Sequence, residues 1–115
     1  MRKNVTLGDK SFDIECNAAV PIFCKRTFKI NPMQAFTEMA ESNDISEKIE
    51  TLEKIGFIMA MTATKKLEEM YALTELDFIR WLSDFEWDDI ASEPFLNAVT
   101  ELWARDNAQD SQPKN

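Results

Sequence analysis

Few residues in this chain could do chemistry, and their types exclude most reactions. The 115 residues include no histidine, so neither a Ser-His-Asp nor a Cys-His arrangement can be built. Cys16 and Cys24 are the only cysteines, eight positions apart, with no CxxC pair and no further soft ligand, which argues against a zinc site. They could meet in space, but two reduced thiols inside a core is the expected arrangement. With glycine only at positions 8 and 56, no GxGxxG or Walker-type phosphate loop can form. The acidic residues Asp84, Glu86, Asp88, Asp89 and Glu93 crowd together, but they lack the Asp-x-Asp-x-Asp-Gly spacing and the glycine of a calcium loop. A solvated acidic loop is expected there, and a chain without catalytic residues, cofactor or metal: not an enzyme.

Recognition of another protein is the chemistry that remains. Trp81 and Trp103 lie on or beside apolar helix faces and are assigned to the core. Trp87, between Glu86 and Asp88, is either an exposed anchor or a cap on the core at a helix junction. As an anchor it would act with Phe85 and Ile90 inside a rim of Asp84, Glu86, Asp88 and Asp89, the usual anatomy of a binding hot spot. Charge is unevenly spread. Residues 1–66 hold ten Lys/Arg against nine Asp/Glu, whereas residues 67–115 hold three against twelve. Such a surface repels phosphate, so nucleic acid is not an expected partner. It suits a basic protein, or it only solubilises. The start lacks the apolar run of a signal peptide, and no segment reaches the roughly 20 apolar residues of a membrane span, so a cytosolic protein without a membrane partner is expected.

The elements that would position these residues read as mainly helical, with four or five helices after an N-terminal β-hairpin, in one domain over residues 1–105. The hairpin spans about residues 4–16: Phe12, Ile14 and Cys16 alternate with Asp13 and Glu15, and Gly8-Asp9 makes the turn. Its edges would stay open unless another copy covered them, and homo-oligomers are expected. Arg2, Lys3 and Lys10 beside it could meet the acidic half of a neighbour. The central helix is set at about Ser46–Glu69, with Ile45, Ile49, Leu52, Ile55 and Met59 on one face and Phe57–Met61 apolar all round. Gly56 within it marks either a close crossing by another element or a harmless glycine.

Around that helix, Asn17 and Asn31-Pro32 open two helices, and Ser42-Asn43-Asp44 is a polar break. Thr74 with Asp77 caps a helix whose stripe is Leu76, Ile79 and Leu82 with Phe78 and Phe85. Ser92-Glu93-Pro94 opens a last helix through Phe95, Leu96, Val99, Leu102 and Trp103, and residues 106–115 should be a disordered tail.

The order of elements carries a resemblance. The hairpin Thr6-Leu-Gly-Asp-Lys-Ser-Phe-Asp-Ile14 leads into an Ala-rich helix and an acidic all-helical body, closed by Phe95-Leu-Asn-Ala-Val-Thr-Glu-Leu-Trp103 and a polar tail. Over residues 4–104 this layout resembles the tail assembly chaperones of long-tailed, non-contractile bacteriophages, in particular those of Gram-positive hosts. The resemblance implies a non-enzymatic helper in the host cytoplasm, absent from the mature virion. It would bind the tape measure protein and recruit tail tube protein subunits. It also implies that a longer, frameshifted form could exist, joined near the polar tail. Apart from the resemblance, the residues also fit a small acidic adaptor or inhibitor that presents its second half to a basic partner.

Overall fold

The computed structural model describes residues 1–41 and 48–111, with side chains as far as residue 105. Among the described residues, two antiparallel strands, β1 (Arg2–Leu7) and β2 (Lys10–Glu15), precede seven helical segments, and the fold is the expected helical domain with an N-terminal hairpin. Arg2 faces Glu15 and Leu7 faces Lys10, so the two-residue turn is Gly8-Asp9. Gly8 has φ +62° while Asp9 does not have a positive φ, the pattern of a II′ turn, in which only the first central residue needs glycine's freedom. The pleat then sorts the side chains. Val5, Leu7 and Ile14 are buried and Phe12 is half-buried, while Arg2, Asn4, Thr6 and Ser11 stay in water. The wet face is cross-linked: Arg2 donates to Glu15, Asn4 Nδ2 donates to Asp13, and Ser11 Oγ donates to Asn4.

Helix α1 (Val20–Phe28) follows a turn in which the Asn17 side chain accepts from the Ala19 N–H at 2.9 Å. The helix therefore begins slightly later than Asn17, which shapes the turn leading into it. Lys29 closes it with φ 60°. In α2 (Pro32–Glu41), Asn31 Oδ1 accepts from the Gln34 N–H and Pro32 starts the first turn, as the sequence predicts. The Ser42-Asn43-Asp44 break, Ile45 and the Ser46 start of the central helix lie outside the described residues.

The centre of the domain is α3 (Ile49–Thr64). Every residue from Ile55 to Ala60 is buried, β2 lies along it, and α1 and α7 pack beside it. Its polar side chains are satisfied locally, Thr62 donating to the Ile58 carbonyl and Thr64 to that of Ala60. It ends at Thr64, five residues before the expected Glu69. Lys65 and Lys66 are extended, and Glu69 accepts from the Lys66 N–H to open a new helix, α4 (Leu67–Tyr71). Glu68 and Glu69 favour a helix N-terminus at that point, where the helix dipole is positive.

Gly56 is a close crossing. A Cβ there would fall inside contact distance of the Phe95 ring and 2.9 Å from Val99 Cγ2, so α7 (Glu93–Ser111) lies directly across it. That last helix buries Phe95, Leu96, Ala98, Val99, Leu102 and Trp103, and Trp103 stacks on Phe36 at 5.1 Å. Its backbone runs beyond the expected end at Asp106, because Asn107-Ala108-Gln109 offer no glycine or proline before Pro113.

Helix α5 (Glu75–Leu82) carries the expected capping box, with Thr74 N–H donating to Asp77 and the Asp77 N–H donating to Thr74 Oγ1. Its inward stripe differs from the expected one. Phe78 is buried and Trp81, Leu82 and Phe85 are half-buried, while Leu76 and Ile79 are each 53 % exposed. Aromatic packing decides this. Trp81 lies 5.0 Å from Phe85, 5.5 Å from Phe57 and 5.8 Å from Phe12, a cluster worth more than two aliphatic side chains.

Candidate functional site

Helix α6 (Trp87–Ile90) is a single turn, and its short span separates two kinds of residue. Phe85, just before it, packs edge-on against Phe12 at 5.4 Å and Trp81 at 5.0 Å. Ile90, at its end, is buried. Those two fix the segment to the core, so Ile90 cannot belong to a contact surface and Phe85 offers only part of one. Trp87 lies between them and is 72 % exposed. Of the two readings of Trp87, the core cap is therefore the wrong one.

The acidic residues divide as well. Asp84, Glu86 and Asp88 are exposed. Asp89 is half-buried, with its carboxylate against the hairpin turn: a Cβ on Gly8 would sit 2.7 Å from Asp89 Oδ2. Lys10 shares a recess of about 220 Å³ there with Asp84, Glu86 and Asp89. The site is thus an exposed indole beside carboxylates at the hairpin tip. An indole in water retains most of its apolar area for a partner, and the carboxylates favour a basic one.

Of the three cations expected to serve a neighbouring copy, two are used within the chain, and the third, Lys10, lines the recess with Asp84, Glu86 and Asp89. Arg2 pairs with Glu15 at 2.8 Å and Asp13 at 3.6 Å, and Lys3 pairs with Glu101 at 3.2 Å. The stripe of the last helix is likewise spent on the core.

Surface features that sequence reasoning missed lie on α1, α4 and α5. Ile22 on α1, Leu67 and Tyr71 on α4, and Leu76 and Ile79 on α5 are all exposed. Arg26 lies 4.4 Å over the Tyr71 ring, which also packs on Phe23 at 5.5 Å. On α5 the signal was present as a second apolar stripe through Phe78, Trp81, Leu82 and Phe85, which the Leu76/Ile79 stripe obscured.

Cys16 and Cys24 are fully buried, and burial, with Cys16 close by, pushes the Cys24 thiol up to about 12. A cleft of about 430 Å³ between Phe57, Met61, Lys65, Glu69 and Asp77 has its acids committed to helix caps at Lys66 and Thr74. Among the described residues no group of three or more Cys, Asp or Glu side chains is placed to hold a metal ion, and no helix is long and apolar enough to cross a membrane. In comparisons with known protein families, curated proteins and solved structures, the chain matches none.

Proposed function

We propose that this chain is a non-enzymatic tail assembly chaperone of a long-tailed, non-contractile bacteriophage. It binds the tape measure protein and recruits tail tube protein while it works in the host cytoplasm, and it leaves before the virion matures. The observation that carries this reading is Trp87, 72 % exposed beside Asp84, Glu86 and Asp88. An exposed tryptophan with a charged rim is how proteins anchor on other proteins, and truncating such a residue costs about 2 kcal/mol or more in binding. The exposed Leu67, Leu76 and Ile79 add apolar surface of the kind that shields an aggregation-prone helix.

The test is capture by immobilised tape measure protein. Trp87→Ala is expected to lower binding about thirtyfold with the melting temperature unchanged. Binding that survives the substitution removes the anchor from the proposal. A second reading, an acidic adaptor for a basic target, is favoured by the twelve Asp/Glu against three Lys/Arg after residue 66. It is separated by capture from a lysate of infected cells, in which the chaperone retains tape measure and tube proteins and the adaptor does not.

A further inference from the structure

Arg2 and Lys3 are paired inside the chain and Lys10 lies beside the chain's own Asp84, Glu86 and Asp89, so the basic surface open to an acidic neighbour lies elsewhere. Lys25 and Lys29, in and just after α1, are exposed and belong to none of the ion pairs among the described residues. Lys25 lines an open recess of about 220 Å³ with Pro21, Ile22, Ile30, Asn31 and Pro32, and Lys29 directly precedes Ile30 in the chain. Pro32 is buried, Pro21 and Ile30 are half-buried, and Ile22 is 62 % exposed, so the recess is apolar with a cationic rim. It is smaller than the roughly 300 Å³ at which small-molecule sites begin, and it suits a single side chain.

Trp87 and this recess lie at opposite ends of the hairpin. Trp87 is two residues from Asp89, whose carboxylate touches the turn at Gly8, whereas α1 starts just past the hairpin base, where Cys16 N–H donates to the Met1 carbonyl. Strands of six residues separate the two ends by about 20 Å, so the indole cannot fill the recess of its own chain. The two surfaces are opposite in shape and in charge. One is an apolar knob between Glu86 and Asp88, and the other an apolar hollow beside Lys25 and Lys29.

We infer that Trp87 of one copy enters the Ile22/Ile30/Pro32 recess of a second copy, with Glu86 and Asp88 against Lys25 and Lys29. This rests on the reading of Trp87 as a docking anchor and adds a second copy as an occupant that competes with tape measure protein for the same indole. Knob and recess are different surfaces, so the contact either closes reciprocally in a two-fold pair or repeats head to tail into a ring or filament. One such contact falls well short of the roughly 1,200 Å² of a stable interface, so the association is weak, reversible and strengthened by low salt.

Sedimentation velocity on the full chain at low salt tests it. The wild type is expected to self-associate as its concentration rises. Trp87→Glu and Ile22→Glu, both at exposed positions, are expected to keep the wild-type melting temperature and to weaken self-association about tenfold or more. Mixed in equal amounts they should form a heterodimer and nothing larger, because one retains the recess and the other the knob. Charge reversal probes the rim alone: Lys25→Glu with Lys29→Glu should weaken association, and Glu86→Lys with Asp88→Lys added to the same chain should restore it. A monomeric wild type, single variants that still assemble, or a mixture that stays monomeric overturns the inference. If the wild type is monomeric yet tape measure capture depends on Trp87, the inference falls and the proposed function stands. If the chain assembles through Trp87 but never holds tape measure protein, the outcome is reversed.

Discussion

Replacing Gly56 by alanine sets two opposing effects against each other, and the structure decides between them. Inside a helix alanine is favoured over glycine by about 1 kcal/mol, so on propensity alone Gly56→Ala should stabilise α3. The added methyl, however, lands 2.9 Å from Val99 Cγ2 and 3.0 Å from Phe95 Cε2, where carbons normally rest at about 3.5–4.0 Å. Phe95 and Val99 are fully buried, so neither can swing into water. Helix α7 must shift outward or Phe95 must leave its rotamer. Overpacking of this kind costs about 1–3 kcal/mol, and two rigid neighbours met at once place it near the upper limit. The net loss is then about 2 kcal/mol, a melting temperature lower by about 8 °C in a domain of this size. Thermal unfolding followed by circular dichroism measures it. Val99→Ala on the Gly56→Ala background should recover part of the loss, so that the two substitutions couple favourably in a double-mutant cycle. A Gly56→Ala variant that melts at or above the wild-type temperature would refute the close crossing.

Other consequences can be checked in the same assays. Glu53 is 7 % exposed, and burial, with a smaller push from Glu50, holds its carboxyl above the ordinary value; Lys54 pairs with Glu50 at 3.1 Å instead. A raised carboxyl makes the ionised form costly only in the folded state. Its penalty is therefore absent below the unfolded value near 4.3 and grows as pH rises through the folded value. Glu53→Gln is expected to raise the melting temperature at pH 7 and to leave it unchanged at pH 4. Cys24, held up to about 12, and the equally buried Cys16 should resist thiol reagents at pH 8 until the protein unfolds; rapid labelling of the native chain would contradict their burial. On α5, Leu76→Lys and Ile79→Lys should change stability by less than about 0.5 kcal/mol, whereas Phe78→Ala should cost about 3–5 kcal/mol, and the reverse ranking would restore the Leu76/Ile79 stripe to the core.

What could be read from the sequence was whatever depends on neighbours in the chain. Thr74 and Asp77 form their capping box, and Asn31-Pro32 its helix start, because both are settled within four residues. The alternation through Phe12 and Ile14 gave the hairpin, and the uncharged run around Phe57 gave the buried centre. Features settled by distant contacts were harder to read. The facing of α5 depends on aromatic partners from the hairpin, α3 and α7, whereas the end of α3 at Thr64 is set by a local helix start at Lys66 that the continuous apolar run hid. Ile90 looked equivalent to Trp87 in sequence, yet one is buried and the other exposed. The charged stretch Glu86-Trp87-Asp88-Asp89 interrupts the apolar periodicity, and such an interruption does not say which of the apolar residues in and around it faces water.

The three tryptophans occupy three different environments, and this gives the molecule a built-in optical readout. Trp81 is surrounded by aromatic rings, Trp103 is buried and stacked on Phe36, and Trp87 stands in solvent. Emission from the first two belongs at short wavelength and that of Trp87 at long wavelength, so the red edge of the spectrum reports on a single residue. Acrylamide, being neutral, should quench that edge freely. Iodide should do so poorly, because Glu86 and Asp88 repel an anion from the indole. Whatever covers Trp87 will shift the red edge to the blue and shield it from both quenchers, with no label attached.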